Sequence, residues 1–152
     1  MITYQRKLKK QGTRKNRSVG KNSELEFSKE ITVYFLQVLL MIKLFHWKTY
    51  SYPTHKATDQ LYSELNENMD KFIEILLGKL NSRIDLMNQK TIQLIDLNTQ
   101  ESLVQKIKEF KNYLVGLNKN RFMNSMLNSD LFNIRDEILG NMNQFLYLLT
   151  FK

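Results

Sequence analysis

Residues 31–48 read ITVYFLQVLLMIKLFHWK, eighteen positions without a glycine or proline. Nothing in that run breaks a helix, and its apolar side chains fall on most of the helix circumference. Gln37, Lys43 and His46 interrupt it, so no continuous apolar run reaches the ~20 residues that cross a bilayer. The segment predicts a helix buried on several faces, in a bundle or at a subunit interface. Just upstream, Ser23-Glu24-Leu25-Glu26 has the form of a capping box, with a hydroxyl at the N-cap and a glutamate at N3. That box predicts a helix start at Ser23.

On the C-terminal side, Ser51-Tyr52-Pro53-Thr54 reads as a tight connection, in which Pro53 ends one element and Thr54 can cap the next. A second helix is predicted from about His55 to about Asn88. Its apolar residues Ala57, Leu61, Leu65, Met69, Phe72, Ile73, Leu76, Leu77 and Leu80 follow helical spacing. Residues 89–98 (QKTIQLIDLN) read as a linker with room for one short helical turn. Asn98 or Thr99 can cap a third helix, whose stripe is Leu103, Val104, Ile107, Phe110 and Leu114 and which fades near Gly116. An Asn-rich loop covers 118–128. Ser129 can cap a fourth helix with Leu131, Ile134, Ile138, Met142, Phe145 and Leu149 on one face. Four helices with one extended connection, between the second and third, predict an all-α four-helix bundle.

Composition agrees. The chain has 152 residues, enough for one domain with a sizeable core. Five glycines and one proline are too few for a sandwich, a barrel or a Gly-rich phosphate loop. With no cysteine, disulfide scaffolds, Cys-ligated zinc and thiol catalysis are excluded. No serine-hydrolase or phosphate-loop motif is present.

The net charge of +8 sits in one place. Arg6, Lys7, Lys9, Lys10, Arg14, Lys15, Arg17 and Lys21 fall within residues 1–21, which hold no acid; the remaining 15 basic and 15 acidic side chains cancel. The organisation expected is a basic arm over 1–22, disordered or extended because it buries too little to offset its chain entropy, ahead of a neutral helical domain over 23–152. Its charges suit nucleic-acid phosphates, an acidic protein surface in an assembly, or simple solubilisation. The arm lacks the apolar stretch of a secretory signal.

Both histidines, His46 and His55, flank the connection between the first two helices. With His55 at zero and ~100° per residue, Asp59 falls near 40°, Asp70 near 60°, Glu74 near 100° and Glu67 near 120°, away from the apolar stripe near 290°. Asp70 and Glu74 are i, i+4, so their carboxylates can converge on one ion. Fifteen residues of helix is ~22 Å of rise, so His55 shares no ion with them in its own chain. A second subunit running antiparallel across a two-fold axis would bring each histidine end to the other's acidic middle. The competing reading is a solvated face, with Lys56 and Lys71 pairing with the acids.

These residues resemble the Dps family, the mini-ferritins of the ferritin-like superfamily. The matches are His46-Trp47, His55, Asp70 and Glu74, with Leu61-Tyr62 and Glu67 at the expected offsets and Phe145-Leu146-Tyr147-Leu148-Leu149 closing the last helix. The resemblance covers roughly 24–152 and is strongest over 43–77. It implies a ferritin-like four-helix bundle, a twelve-subunit shell, and a di-iron ferroxidase site at a two-fold interface. His46 and His55 would come from one chain and Asp70 and Glu74 from the other. Glu67 would be a carboxylate that supports the ligands or one that nucleates mineral. Trp47 would stand beside the site and quench radical by-products, where the plainer reading is core packing. The Lys/Arg-rich arm is similar in kind to the DNA-binding tails of that family. His46 and His55 are nine apart, three fewer than in the usual motif, a deletion that would tilt His46 away from the ion. Short histidine loops of this kind, with Asn- and Lys-rich composition, resemble ferritin-like proteins encoded by large DNA viruses.

Two functions follow as expectations. The first is a Dps-like ferroxidase with a basic arm that binds DNA, homo-oligomeric, without a membrane, cytoplasmic or nucleoid-associated. The alternative is a ferritin-like bundle reused as a structural or nucleic-acid-associated protein, for example a minor component of a virus particle.

Overall fold

The connection between the first two helices (the A–B turn) is three residues long and its hydroxyls set where the second helix begins. Ser51 is the N-cap, in extended conformation, and its Oγ accepts from the amide of Thr54 at 3.4 Å. Pro53 therefore stands in the first helical turn, where its missing N–H costs nothing, instead of ending an element. Thr54, the expected cap, is buried one turn in. The computed structural model of the chain describes residues 12–124 and 128–151. Its elements are α1 (Gly12–Lys48), α2 (Tyr52–Leu80), α3 (Gln100–Gly116), a short 3-10 turn (Leu117–Lys119) and α4 (Ser129–Leu148), and among the described residues there is no strand.

The helix bounds correct the sequence reading in several places. The first helix starts at Gly12, not Ser23. Ser23 is interior to it, and its Oγ donates to the Gly20 carbonyl at 2.8 Å instead of capping an amide. A packed helix extends upstream at little nucleation cost, so a local capping box need not be used. Residues 12–22 of the expected disordered arm thus have helical backbone; residues 1–11, with Arg6, Lys7, Lys9 and Lys10, lie outside the described residues, as do the side chains of Arg14, Lys15, Arg17 and Lys21. The second helix stops at Leu80, not near Asn88. Asn81 takes the left-handed conformation (φ 46°) and its amide reaches back to the Gly78 carbonyl, a C-cap that asparagine tolerates better than other non-glycine residues. Residues 89–98 contain no helical turn. Thr99 caps α3 in a reciprocal box with Ser102, as expected. For α4 the N-cap position belongs to Asn128, not Ser129, and its side chain donates to the Phe122 carbonyl at 2.7 Å.

The apolar stripes meet in one core. Phe35 of α1 lies 5.5 Å from Phe72 of α2 and 6.0 Å from Phe110 of α3, edge to face, which joins three helices. From α4, Leu131, Ile138, Met142 and Phe145 complete it. Arg135 of α4, itself buried, donates to the Asn118 side chain at 2.6 Å and to the Leu114 carbonyl, which ties α4 to the end of α3.

The long crossover between α2 and α3 returns along α1. Gln37 donates to the Gln93 carbonyl at 2.9 Å, and Lys48 holds Asp96 at 2.7 Å and Asn98 at 2.8 Å. α3 therefore starts at the same end as α2, and Gln100 bridges the Thr54 hydroxyl to the Leu149 carbonyl of the last helix. The order is α1 up, α2 down, crossover, α3 down, α4 up. Within α1, residues Asn22–Lys48 are long and apolar enough to cross a membrane, and 44% of the most apolar window is buried within the chain. The outward apolar residues include Leu36 and Leu40.

Candidate metal centre

His46 closes α1 and His55 lies in the first turn of α2, so the short A–B turn brings the rings together. The imidazoles stack with centroids 3.9 Å apart and planes 23° apart. Each Nδ1 faces the other residue's backbone. His46 Nδ1 donates to the His55 carbonyl at 3.1 Å and His55 Nδ1 donates to the His46 carbonyl at 3.1 Å. A carbonyl only accepts, so both Nδ1 atoms carry protons. In a neutral ring that leaves Nε2 with its lone pair, the atom a metal takes. The His46 carbonyl belongs to the last turn of α1, which has no downstream helical amide, so the His55 ring also satisfies an orphaned helix-end acceptor.

Thr58 supports the pair from one turn on. Its hydroxyl lies 3.3 Å from His46 Nδ1 and donates to the carbonyls of Thr54 and His55 at 2.8 and 3.0 Å. Two acceptors on one N–H fix the ring plane of His46, which is 8% exposed. The shorter histidine loop thus leaves the His46 ring stacked on His55.

One carboxylate reaches the outer edge of this pair. Asp59 Oδ1 is 3.9 Å from His46 Nε2 and is itself exposed. The sequence reading placed Asp59 only on the charged flank; its i, i+4 relation to His55 is the signal that points to it. Asp70, Glu74 and Glu67 are exposed farther along the same uninterrupted helix. By rise alone, Asp70 lies ~22 Å from His55. Among the described residues, no three His, Asp or Glu side chains of one chain gather as a metal-binding group.

Trp47 is 68% exposed, which excludes core packing as its role. Lys43 Nζ stands 4.5 Å over the Tyr62 ring and 5.9 Å from the Trp47 centroid, so cation and rings cluster beside the histidines. On α1, Leu36, Leu40, Lys43 and Trp47 recur at four, three and four residues, one stripe opposite the core-facing residues Ile31, Val38, Ile42 and Phe45. Asp59 and Asp70 occupy the adjoining flank of α2.

The profile of a family of unknown function, DUF5856, matches residues 46–149, from the end of α1 through α2, α3 and α4. No curated protein and no solved structure matches the chain.

Proposed function

The chain belongs to the DUF5856 family, and because that family's description carries no activity, we propose one from the residues themselves: a ferritin-like bundle that takes Fe(II) as substrate at sites shared by two copies. The stacked histidine pair carries this reading, since both Nδ1 atoms are committed to backbone and both Nε2 atoms are left for a cation. Imidazole nitrogen with carboxylate oxygen is a donor set that suits Fe(II). A single long crossover between the second and third helices is the connectivity of ferritin-like bundles, which supports the fold named here.

His46, His55 and Asp59 would supply one side of each site. Asp70 and Glu74 of a second copy would supply the other. The midpoint between the histidine level and the Asp70–Glu74 level falls between Leu36 and Leu40 of α1, the two exposed leucines on that face. A two-fold axis there buries Leu36 and Leu40 and sets each histidine pair against the opposing carboxylates. Peroxide or dioxygen is the electron acceptor, and the ferric product leaves as mineral, with Glu67 as a nucleating carboxylate. Trp47, exposed beside the histidines, is positioned to intercept oxidising by-products. The basic N-terminal segment would hold DNA through its phosphates, with affinity falling steeply with salt. Such a protein would work in the cytoplasm or on the nucleoid, or in a virion if it is viral.

Iron titration under peroxide tests it. The variant carrying His46→Ala and His55→Ala should oxidise Fe(II) at least about tenfold more slowly than the parent at equal helicity. Equal rates would leave the alternative, a bundle reused as a structural or nucleic-acid-associated part.

A further inference from the structure

Outside the N-terminal segment the bases and acids cancel in number but not in place. α3 buries Leu103, Ile107, Phe110 and Leu114. With Lys108 at zero and ~100° per residue, these four fall between about 200° and 260°, while Lys111, Asn112 and Val115 fall within about 60° of Lys108. Lys108 and Asn112 are exposed accordingly, and Lys111 is partly exposed. The turn after α3 adds Lys119 and Arg121, both exposed. The backbone of that turn is set by Asn120, whose Oδ1 accepts from the amides of Phe122 and Met123 at 2.9 and 3.1 Å. The Phe122 ring rests 5.6 Å from Phe27, which holds the turn against α1.

The acids beside this face are already committed. Glu109 accepts from Lys106 at 2.6 Å and from Gln105 at 3.3 Å. Asp136 accepts from Arg135 at 2.7 Å. Glu101 stands two turns before Lys108, ~10 Å along the helix. Among the described residues, Lys108, Lys111, Lys119 and Arg121 make no ion pair. Four uncompensated cations thus line the C-terminal half of α3 and its turn, where the helix end itself favours positive charge. α3 packs on α4 and α1, across the bundle from α2, so its outward face stays open when the α1 leucines pair.

The chemistry of the face selects the partner. Lys108 to Lys119 spans ~16 Å of rise. That length of duplex carries about nine phosphates on its two strands, a row of charge that a fixed line of cations can follow. The exposed amides of Asn112 and Asn118 add donors for phosphate and sugar oxygens. The apolar side chain exposed here is Val115, too little for insertion into an anionic bilayer. Among the described residues no aromatic ring is exposed on this face, so single strands lack a platform on which bases stack.

We infer that the outward face of α3 and the turn that follows it bind the phosphate backbone of a nucleic-acid duplex without reading its sequence. The surface is separate from the N-terminal segment and does not depend on the iron reading. Fluorescence anisotropy of a short mixed-sequence DNA duplex, titrated with the full chain over a range of salt, tests it. Lys108→Gln, Lys111→Gln, Lys119→Gln and Arg121→Gln together should weaken binding at least about tenfold at unchanged helicity. The slope of log affinity against log salt should become shallower by about three. The same four substitutions should cut the slope equally in a chain that also carries Arg6→Gln, Lys7→Gln, Lys9→Gln and Lys10→Gln, so failure of the arm and failure of this face are seen separately. The inference is overturned if the four substitutions leave duplex affinity and slope unchanged. It is overturned as well if they weaken only the binding of phosphatidylserine vesicles or of oligothymidylate, which would assign the face to lipid or to single strands.

Discussion

The His55 ring satisfies the end of α1 through Nδ1, and His46 Nδ1 in turn donates to the His55 carbonyl, so neither bond uses Nε2. This reciprocity was not legible in the sequence. Two histidines nine residues apart suggested proximity, but only a three-residue turn capped by Ser51 stacks them face to face. The residue types were legible; the tautomers come from which atoms the turn brings opposite Nδ1. Asp59 illustrates the gap, since a helical wheel gives its flank but not its reach to His46 Nε2. Asp59→Asn keeps shape and removes charge, so it should weaken Fe(II) binding by about tenfold or more while leaving helicity unchanged. Titration of Fe(II) under anaerobic conditions checks this, and an unchanged affinity would remove Asp59 from the site.

At the scale of elements, the stripes of α2, α3 and α4 were legible because their buried residues recur at the helical period. The ends were less so. Ser51 and Thr54 both offer a hydroxyl near Pro53, and the choice between them depends on a turn conformation that composition does not encode. The box at Ser23 is a sound local signal overridden by a helix already running through it. Packing between elements also sets an alkaline limit. Burial, then the Glu30 carboxylate and Tyr34, push the Tyr113 phenol up to about 12. An unfolded tyrosine ionises near 10, so between about pH 10 and 12 the unfolded chain gives up a proton that the folded chain keeps. Stability from this group is intact below that window and is lost as pH rises through it. Tyr113→Phe removes the titration. The parent's unfolding free energy, taken relative to that variant, should drop by up to about 2 kcal/mol from pH 9 to 12 in urea titrations. A pH-independent difference would contradict the burial argument.

For the whole molecule, the main fact is that α1 has two apolar faces. One packs on Phe72 and Phe110 through Phe35, and the other leaves Leu36 and Leu40 in the open. The run ITVYFLQVLLMIKLFHWK already showed a helix too apolar for a single buried face. The proposed second copy on the outer face would account for that excess and would supply the carboxylates that the histidine pair lacks. Leu36→Asp with Leu40→Asp should therefore give a helical monomer without Fe(II) oxidation, read by light scattering and iron titration together. A monomer that still oxidised iron would separate the site from the interface.

Complementation between two inactive chains tests the shared site most directly. One chain carries His46→Ala and His55→Ala, the other Asp70→Asn and Glu74→Gln. After unfolding, mixing and refolding, half of the dimers pair the two variants, and each such dimer holds one intact site of two. The mixture should recover about a quarter of the parental Fe(II) oxidation, while each variant refolded alone stays inactive. A mixture as inactive as its components would contradict a centre built from the imidazoles of one copy and the carboxylates of another.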